Sequence, residues 1–308
     1  MPERPRGGLS PCEAIALGLV QGPTELLPVS SSAHTTLLAY LIGSPYGELP
    51  GRARKEFEVA LHAGAGLALA IEMRRELLVE LGRLDGRGVA TMALATLPPA
   101  LVGYALEGPI ERRLGGPVAS AWGLAGGAVA MAMADGGAAA RWSSKRTKRD
   151  SKRRARARAR VRARAPQKER DVAGERALAG PGDGLALGVA QALALAPGVS
   201  RSGATLTAAR ARGFAREDAA ELSWHTALPV LLGASALKGW RLWRDGRPEI
   251  GWGGLALGGV SAFVATLLSA RLARRMRLSE RPLLGFAIYR CGLAAVILWR
   301  AGRAGRHA

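Results

Sequence analysis

The chain contains a copy of part of itself. Ala16-Leu17-Gly18-Leu19-Val20-Gln21 returns as Ala186-Leu187-Gly188-Val189-Ala190-Gln191. In the same register Val29-Ser30-Ser31-Ser32 returns as Val199-Ser200-Arg201-Ser202, and Thr35 as Thr205. Each copy is an apolar run broken by Pro and Ser. Irregular backbone cannot face lipid and has to be enclosed by protein or line a cavity. Duplicated broken helices are how membrane transport folds build one polar site near the bilayer midplane. The repeat therefore predicts two related hairpins that contribute to a single composite site.

Composition agrees once the charge is located. The 308 residues are 48% hydrophobic and 5% aromatic, and mean hydropathy is only +0.07. Between Arg141 and Arg176, 16 Lys or Arg stand against 4 Asp or Glu, which is +12 of the formal +20. Outside this linker lie nearly uncharged runs of Ala, Leu, Val and Gly that approach the roughly 20 residues needed to cross a bilayer. No aromatic side chains interleave the linker arginines. It reads as a solvated loop drawn to anionic headgroups, with no nucleic-acid partner. Cys12 and Cys291 show neither metal-ligand spacing nor a disulfide framework and read as small buried residues. The N-terminus lacks the pattern of a cleaved signal peptide.

Six segments read as membrane spans: 57–73, 89–106, 118–134, 226–243, 251–272 and 283–299. Pro98-Pro99 and Pro229 are expected to kink or start their helices. The hairpins, 13–41 and 185–213, have arms too short to span and read as re-entrant; four further full spans are the alternative. Each half then holds one hairpin and three spans, residues 1–140 and 181–308 around the linker 141–180. Three being odd, the second half is inverted. The expected fold is an all-α integral membrane protein of two inverted-topology repeats, with about six transmembrane helices and two re-entrant helical hairpins. Arg74, Arg75, Arg83 and Arg87, the linker, and Arg271, Arg274, Arg275 and Arg277 then share one face, the cytoplasmic one. The basic tail 300–306 falls on the other side, against the rule.

The chemistry divides between the hairpins. In the first, helical spacing puts Gln21 and Glu25 on one face. A carboxylate with an amide oxygen suits a hard divalent cation such as Mg²⁺. His34 follows across Pro28-Val29-Ser30-Ser31-Ser32 and can act as base, acid or nucleophile. Ionisable groups buried in a membrane segment are too costly to be incidental. In the second, Pro197 and Gly198 allow a tight turn into a helix whose free N–H groups attract anions. Ser200, Ser202 and Thr205 add hydroxyls, and Arg201 adds a fork suited to phosphate. A metal, an arginine and a nucleophile are the equipment of phosphoryl transfer.

These residues closely resemble the signatures of the undecaprenyl-diphosphate phosphatase family, also called bacitracin-resistance proteins. The signatures are Glu/Gln-x-x-x-Glu leading into Pro-Val-Ser-Ser-x-x-His, and Pro-Gly-x-Ser-Arg-Ser-x-x-Thr. The resemblance extends to Phe57-Glu58-Val59, Ala227-Leu228-Pro229 and Phe286-Ala287-Ile288-Tyr289-Arg290. It implies a membrane hydrolase that converts undecaprenyl diphosphate to undecaprenyl phosphate and inorganic phosphate, recycling the cell-wall lipid carrier and conferring bacitracin resistance. It further implies Glu25, Ser31, His34 and Arg201 as catalytic residues. Ser30, Ser200, Arg201, Ser202 and Thr205 would bind phosphate, and Glu25 with Gln21 would hold Mg²⁺ or Ca²⁺. Three positions depart from the pattern: Gln21 where Glu is frequent, Ala33 where Gly is expected, and His62 where Gln is expected.

Sequence leaves Ser31, His34 and a His34-activated water equivalent as nucleophile. The expected partners are the polyprenyl substrate and membrane lipids, with a homodimer open. The expected place is the cell membrane, with the linker cytoplasmic and the site facing outward. The competing class is a polyprenyl-phosphate transporter or scramblase on the same inverted repeats, which has less need of Glu25, His34 and Arg201 together.

Overall fold

The computed structural model describes residues 9–41, 44–82, 85–136, 179–246, 248–276 and 282–304. The Arg-rich linker lies outside the described residues, apart from its last two positions, as do Arg83 and Arg277. Among the described residues the structure is helical throughout. The helices are α1 (Pro11–Leu26), α2 (Ser31–Leu41), α3 (Gly51–Glu72), α4 (Arg74–Leu81), α5 (Gly86–Leu114) and α6 (Pro117–Asp135). After the linker come α7 (Pro181–Leu193), α8 (Arg201–Ala211), α9 (Arg216–Asp245), α10 (Trp252–Arg275) and α11 (Leu284–Ala304). A 3₁₀ turn, Pro45–Glu48, joins α2 to α3.

Four helical stretches are long and apolar enough to cross a membrane by length and composition: Gly86–Leu106, Pro117–Asp135, Trp252–Arg275 and Leu284–Arg303. They match four of the six expected spans. The other two segments lie within α3 and α9, which are long enough but less apolar. The four stretches turn large apolar side chains outward, among them Leu101, Trp122, Val260 and Ile288, as a lipid-facing surface requires. The prolines do not start their helices, as one alternative expected: Pro98 and Pro99 lie inside α5, and Pro229 inside α9. Cys12 and Cys291, expected to be buried, are exposed. Both sit on outward helix faces, where an apolar segment has no core to hide them.

The chain forms two compact units, Met1–Arg74 with Ala227–Met276, and Arg75–Thr226 with Arg277–Ala308. In the first unit, Ser10 caps α1. Its hydroxyl accepts from Glu13 N, and the Glu13 carboxylate accepts from Ser10 N, which satisfies two donors of the first turn. Ala14, Gly18 and Gly22 recur every four residues and make a small-residue stripe against α10. A methyl group on Gly18 would lie 2.6 Å from Gly258 O, and one on Gly22 2.5 Å from the Ala265 carbonyl carbon. Such stripes let backbones approach where lipid gives no hydrophobic drive to pack. Leu17, Phe57, Leu61 and Ala262 fill the space alongside.

The second unit repeats the device. Gly184 and Gly188 of α7 abut the Thr91 and Leu94 carbonyls of α5. Pro99 cannot donate to Ala95 O, four residues back. Gln191 does so instead, Nε2 to Ala95 O at 3.0 Å, and also reaches Thr226 O at 3.2 Å. At the far end of the unit, Asp135 accepts from Arg210 Nε (3.1 Å), Arg216 Nε (2.9 Å) and Leu283 N (2.9 Å). This ties the ends of α6 and α8 to the starts of α9 and α11.

Candidate active site

Both hairpins turn on a serine in the left-handed region. Ser30 has φ 76° and Ser200 φ 64°, and they are the only described non-glycine residues there. That conformation crowds Cβ against the carbonyl and costs of order 1 kcal/mol. It is retained at equivalent positions of both sequence copies. Each serine hydroxyl lies 3.3 Å from that of the serine two residues on, Ser32 and Ser202. Each carbonyl accepts from the amide four residues on, His34 N and Ala204 N.

In the first hairpin Glu25 ends α1 and is buried. Its Oε2 accepts from Gln21 Nε2 at 3.1 Å and from Ser31 Oγ at 2.9 Å. His62, on α3, adds Nδ1 at 3.5 Å. The expected Gln21–Glu25 face is therefore present, and Ser31 joins it. His34 Nδ1 donates to Ser30 O at 2.7 Å. A carbonyl only accepts, so Nδ1 carries a proton. Behind α2, Tyr46 also bonds Thr35, and its hydroxyl donates to Glu58 at 3.3 Å. Burial, and then the Glu58 carboxylate, push the Tyr46 pKa well above its ordinary value.

In the second hairpin Ser200 caps α8, its hydroxyl accepting from Gly203 N at 3.2 Å. Thr205 donates to Arg201 O at 2.9 Å and accepts from Ser223, 2.5 Å away on α9. Arg201 Nη1 reaches Ser223 O at 3.5 Å. Ser223 was not foreseen from sequence; nothing local marks it. Arg290 had been quoted only as part of a motif. It is fully buried on α11 and donates from Nη2 to Val199 O at 3.0 Å and Gly198 O at 3.2 Å. Its guanidinium thus holds the turn that presents Ser200 and Arg201. Gly127 and Gly203 leave it room, since a methyl group on either would collide with it.

Helices of membrane length, with a serine-turned hairpin in each unit, one carrying a buried carboxylate and the other an arginine at a helix start, are those of an all-α membrane protein. The family model described as "Bacitracin resistance protein BacA" matches residues 14–296. The chain belongs to that family. It is 35% identical over 286 residues to an undecaprenyl-diphosphatase of Geobacter metallireducens, covering 88% of this chain and 92% of the relative. It is 34% identical to one of Alcanivorax borkumensis, covering 94% and 98%. An undecaprenyl-diphosphatase of Neisseria meningitidis serogroup C is 32% identical, covering 94% and 96%.

Proposed function

We propose that this protein hydrolyses undecaprenyl diphosphate to undecaprenyl phosphate and inorganic phosphate, and so recycles the cell-wall lipid carrier and confers bacitracin resistance. The observation that carries the reading is the Ser31 hydroxyl donating to buried Glu25 at 2.9 Å, in a chain whose full-length relatives bear that enzyme's name. The same contact favours Ser31 over His34 as nucleophile. Ser31 Oγ attacks the terminal phosphorus and its proton passes to Glu25. The bond to the bridging oxygen breaks, and undecaprenyl phosphate leaves. Water then cleaves the phosphoserine, His34 Nε2 takes the water proton, and Glu25 returns its own to Ser31. In the second hairpin, Arg201, Ser200, Ser202 and the first amides of α8 are the proposed binding groups for phosphate oxygens.

Glu25 and Gln21 fit a divalent ion: one buried carboxylate and one amide suffice when substrate phosphates and water complete the shell. Such an ion supplies charge neutralisation of the phosphate oxygens.

In this reading the hairpins are re-entrant. Their longest arm, 16 residues, covers about 24 Å at 1.5 Å per residue, short of a roughly 30 Å hydrocarbon core. α3 and α9 complete six spans, the halves are inverted repeats, the linker is cytoplasmic and the site opens outward. The test is phosphate release from a polyprenyl diphosphate by purified protein in detergent, with and without EDTA. Release that EDTA abolishes supports the enzyme. No release, alongside lipid flipping in liposomes, replaces it with the transporter.

A further inference from the structure

Two of the three departures from the family pattern, Gln21 and His62, touch each other. Gln21 Nε2 lies 3.2 Å from His62 Nδ1 and 3.1 Å from Glu25 Oε2, and His62 Nδ1 lies 3.5 Å from Glu25 Oε2. The three atoms form a nearly equilateral triangle drawn from two helices. We infer that this triangle is one face of a divalent-metal site in which His62 is a nitrogen ligand. The site then favours first-row transition ions of the Co²⁺/Zn²⁺ class over Ca²⁺. The inference rests on the divalent site proposed above and names its third ligand.

The distances suit it. With metal–oxygen and metal–nitrogen bonds of about 2.0–2.2 Å, neighbouring ligands lie roughly 2.9 Å apart at a right angle and roughly 3.4 Å apart at the tetrahedral angle. The observed edges span that interval with little movement. The Gln21 corner is now an amide nitrogen donating to both neighbours. Turning the amide half a revolution puts Oε1 there, a change of similar shape. The amide nitrogen can only donate, so in this contact His62 Nδ1 accepts and carries a lone pair directed at the Gln21 corner. Glu25 Oε2 has two lone pairs, enough for Ser31 and an ion together.

Charge and burial agree. Gln21 is 2% and Glu25 4% exposed, while the His62 side chain is 36% exposed, so the outer positions face the side from which water or phosphate oxygens arrive. Among the described residues no three His, Cys, Asp or Glu gather to hold an ion, so the amide is needed as third donor. Ca²⁺ takes six to eight oxygens at about 2.3–2.6 Å. A compact set with one imidazole suits the borderline ions instead. Where the family pattern leads one to expect a carboxylate at position 21, the charge is absent, and an imidazole beside it restores a strong ligand.

The experiment uses tag-free, metal-stripped full-length protein in detergent. Co²⁺ binding is followed by its visible d–d absorption, and Ca²⁺ binding by calorimetry. The wild type is expected to bind one Co²⁺ that a large excess of Ca²⁺ does not displace. His62→Gln is expected to weaken Co²⁺ by at least about tenfold while leaving Ca²⁺ affinity within a factor of about two. Unchanged Co²⁺ affinity and spectrum in folded His62→Gln overturn the inference, as does Ca²⁺ binding as tight as Co²⁺ in the wild type. If that happens while Glu25→Ala still loses phosphate release, the phosphatase reading stands without it. If the wild type releases no phosphate with any ion, the phosphatase reading falls and the Co²⁺ titration still decides the ligand.

Discussion

The two hairpins are the same local object put to different uses, and their shared glutamine shows how. Gln21 and Gln191 occupy equivalent positions of the repeat, and both are buried. Gln21 gives its amide to two ionisable side chains, Glu25 and His62. Gln191 gives the same amide to two backbone carbonyls, Ala95 O and Thr226 O. A duplicated residue joins a cluster of ionisable side chains in one unit and braces a proline-containing helix in the other. The neighbours explain the split. Glu25 is matched in the repeat by Leu195 and Ser31 by Arg201, so the second copy has no carboxylate for its glutamine to face. In place of that carboxylate it meets Ala95 O, a carbonyl that Pro99 leaves without a helical donor.

Glu25→Ala and Arg201→Ala, one from each hairpin, are each expected to lower phosphate release about 10²–10³-fold with unchanged elution from a sizing column. Near-normal turnover by either variant breaks the division of labour. Ser31→Ala should do the same and should also abolish a phosphoenzyme trapped by acid quench. A trapped intermediate that survives in Ser31→Ala moves the nucleophile elsewhere.

Arg290→Met should act on stability first. It leaves Val199 O and Gly198 O unpaired, a cost of about 1–3 kcal/mol for each buried group, seen as a lower melting midpoint in detergent together with lost activity. The glutamines then separate. Gln191→Met should lower the melting midpoint by a similar single-group cost while the surviving folded fraction keeps its specific activity. Gln21→Met should leave the midpoint nearly unchanged and impair divalent binding. The reverse pattern refutes the contrast. Smallest is Ser200→Gly, which relieves the left-handed strain but removes the cap. The two terms nearly cancel, within about 1 kcal/mol, so the midpoint should barely move.

Much of this was legible in the residues because it is local. A four-residue spacing placed Gln21 against Glu25, and a Pro-Gly-x-Ser pattern placed Arg201 at a helix start. The short apolar arms and the long uncharged runs were equally readable, since helix length and hydropathy are properties of a segment alone. The expectation of two buried cysteines failed for a related reason. Burial depends on which face of a helix finds a neighbour, and Cys12 and Cys291 lie on faces that find none.

Sequence was enough for the duplication, the polar breaks and four helices of membrane length. The breaks and the helices are properties of a single segment, and the duplication is a match between two segments of the chain. Sequence could not say that α1 packs on α10 from the far end of the chain, or that His62 completes the Gln21–Glu25 cluster across 41 positions. Nor could it say that Arg290 would hold the Ser200 turn from 91 and 92 positions away. Those pairings depend on close helix packing, which small residues permit at many registers. Only the assembled contacts select one register, because only there does Gln191 meet the Ala95 carbonyl that Pro99 frees and Arg290 meet the Val199 and Gly198 carbonyls.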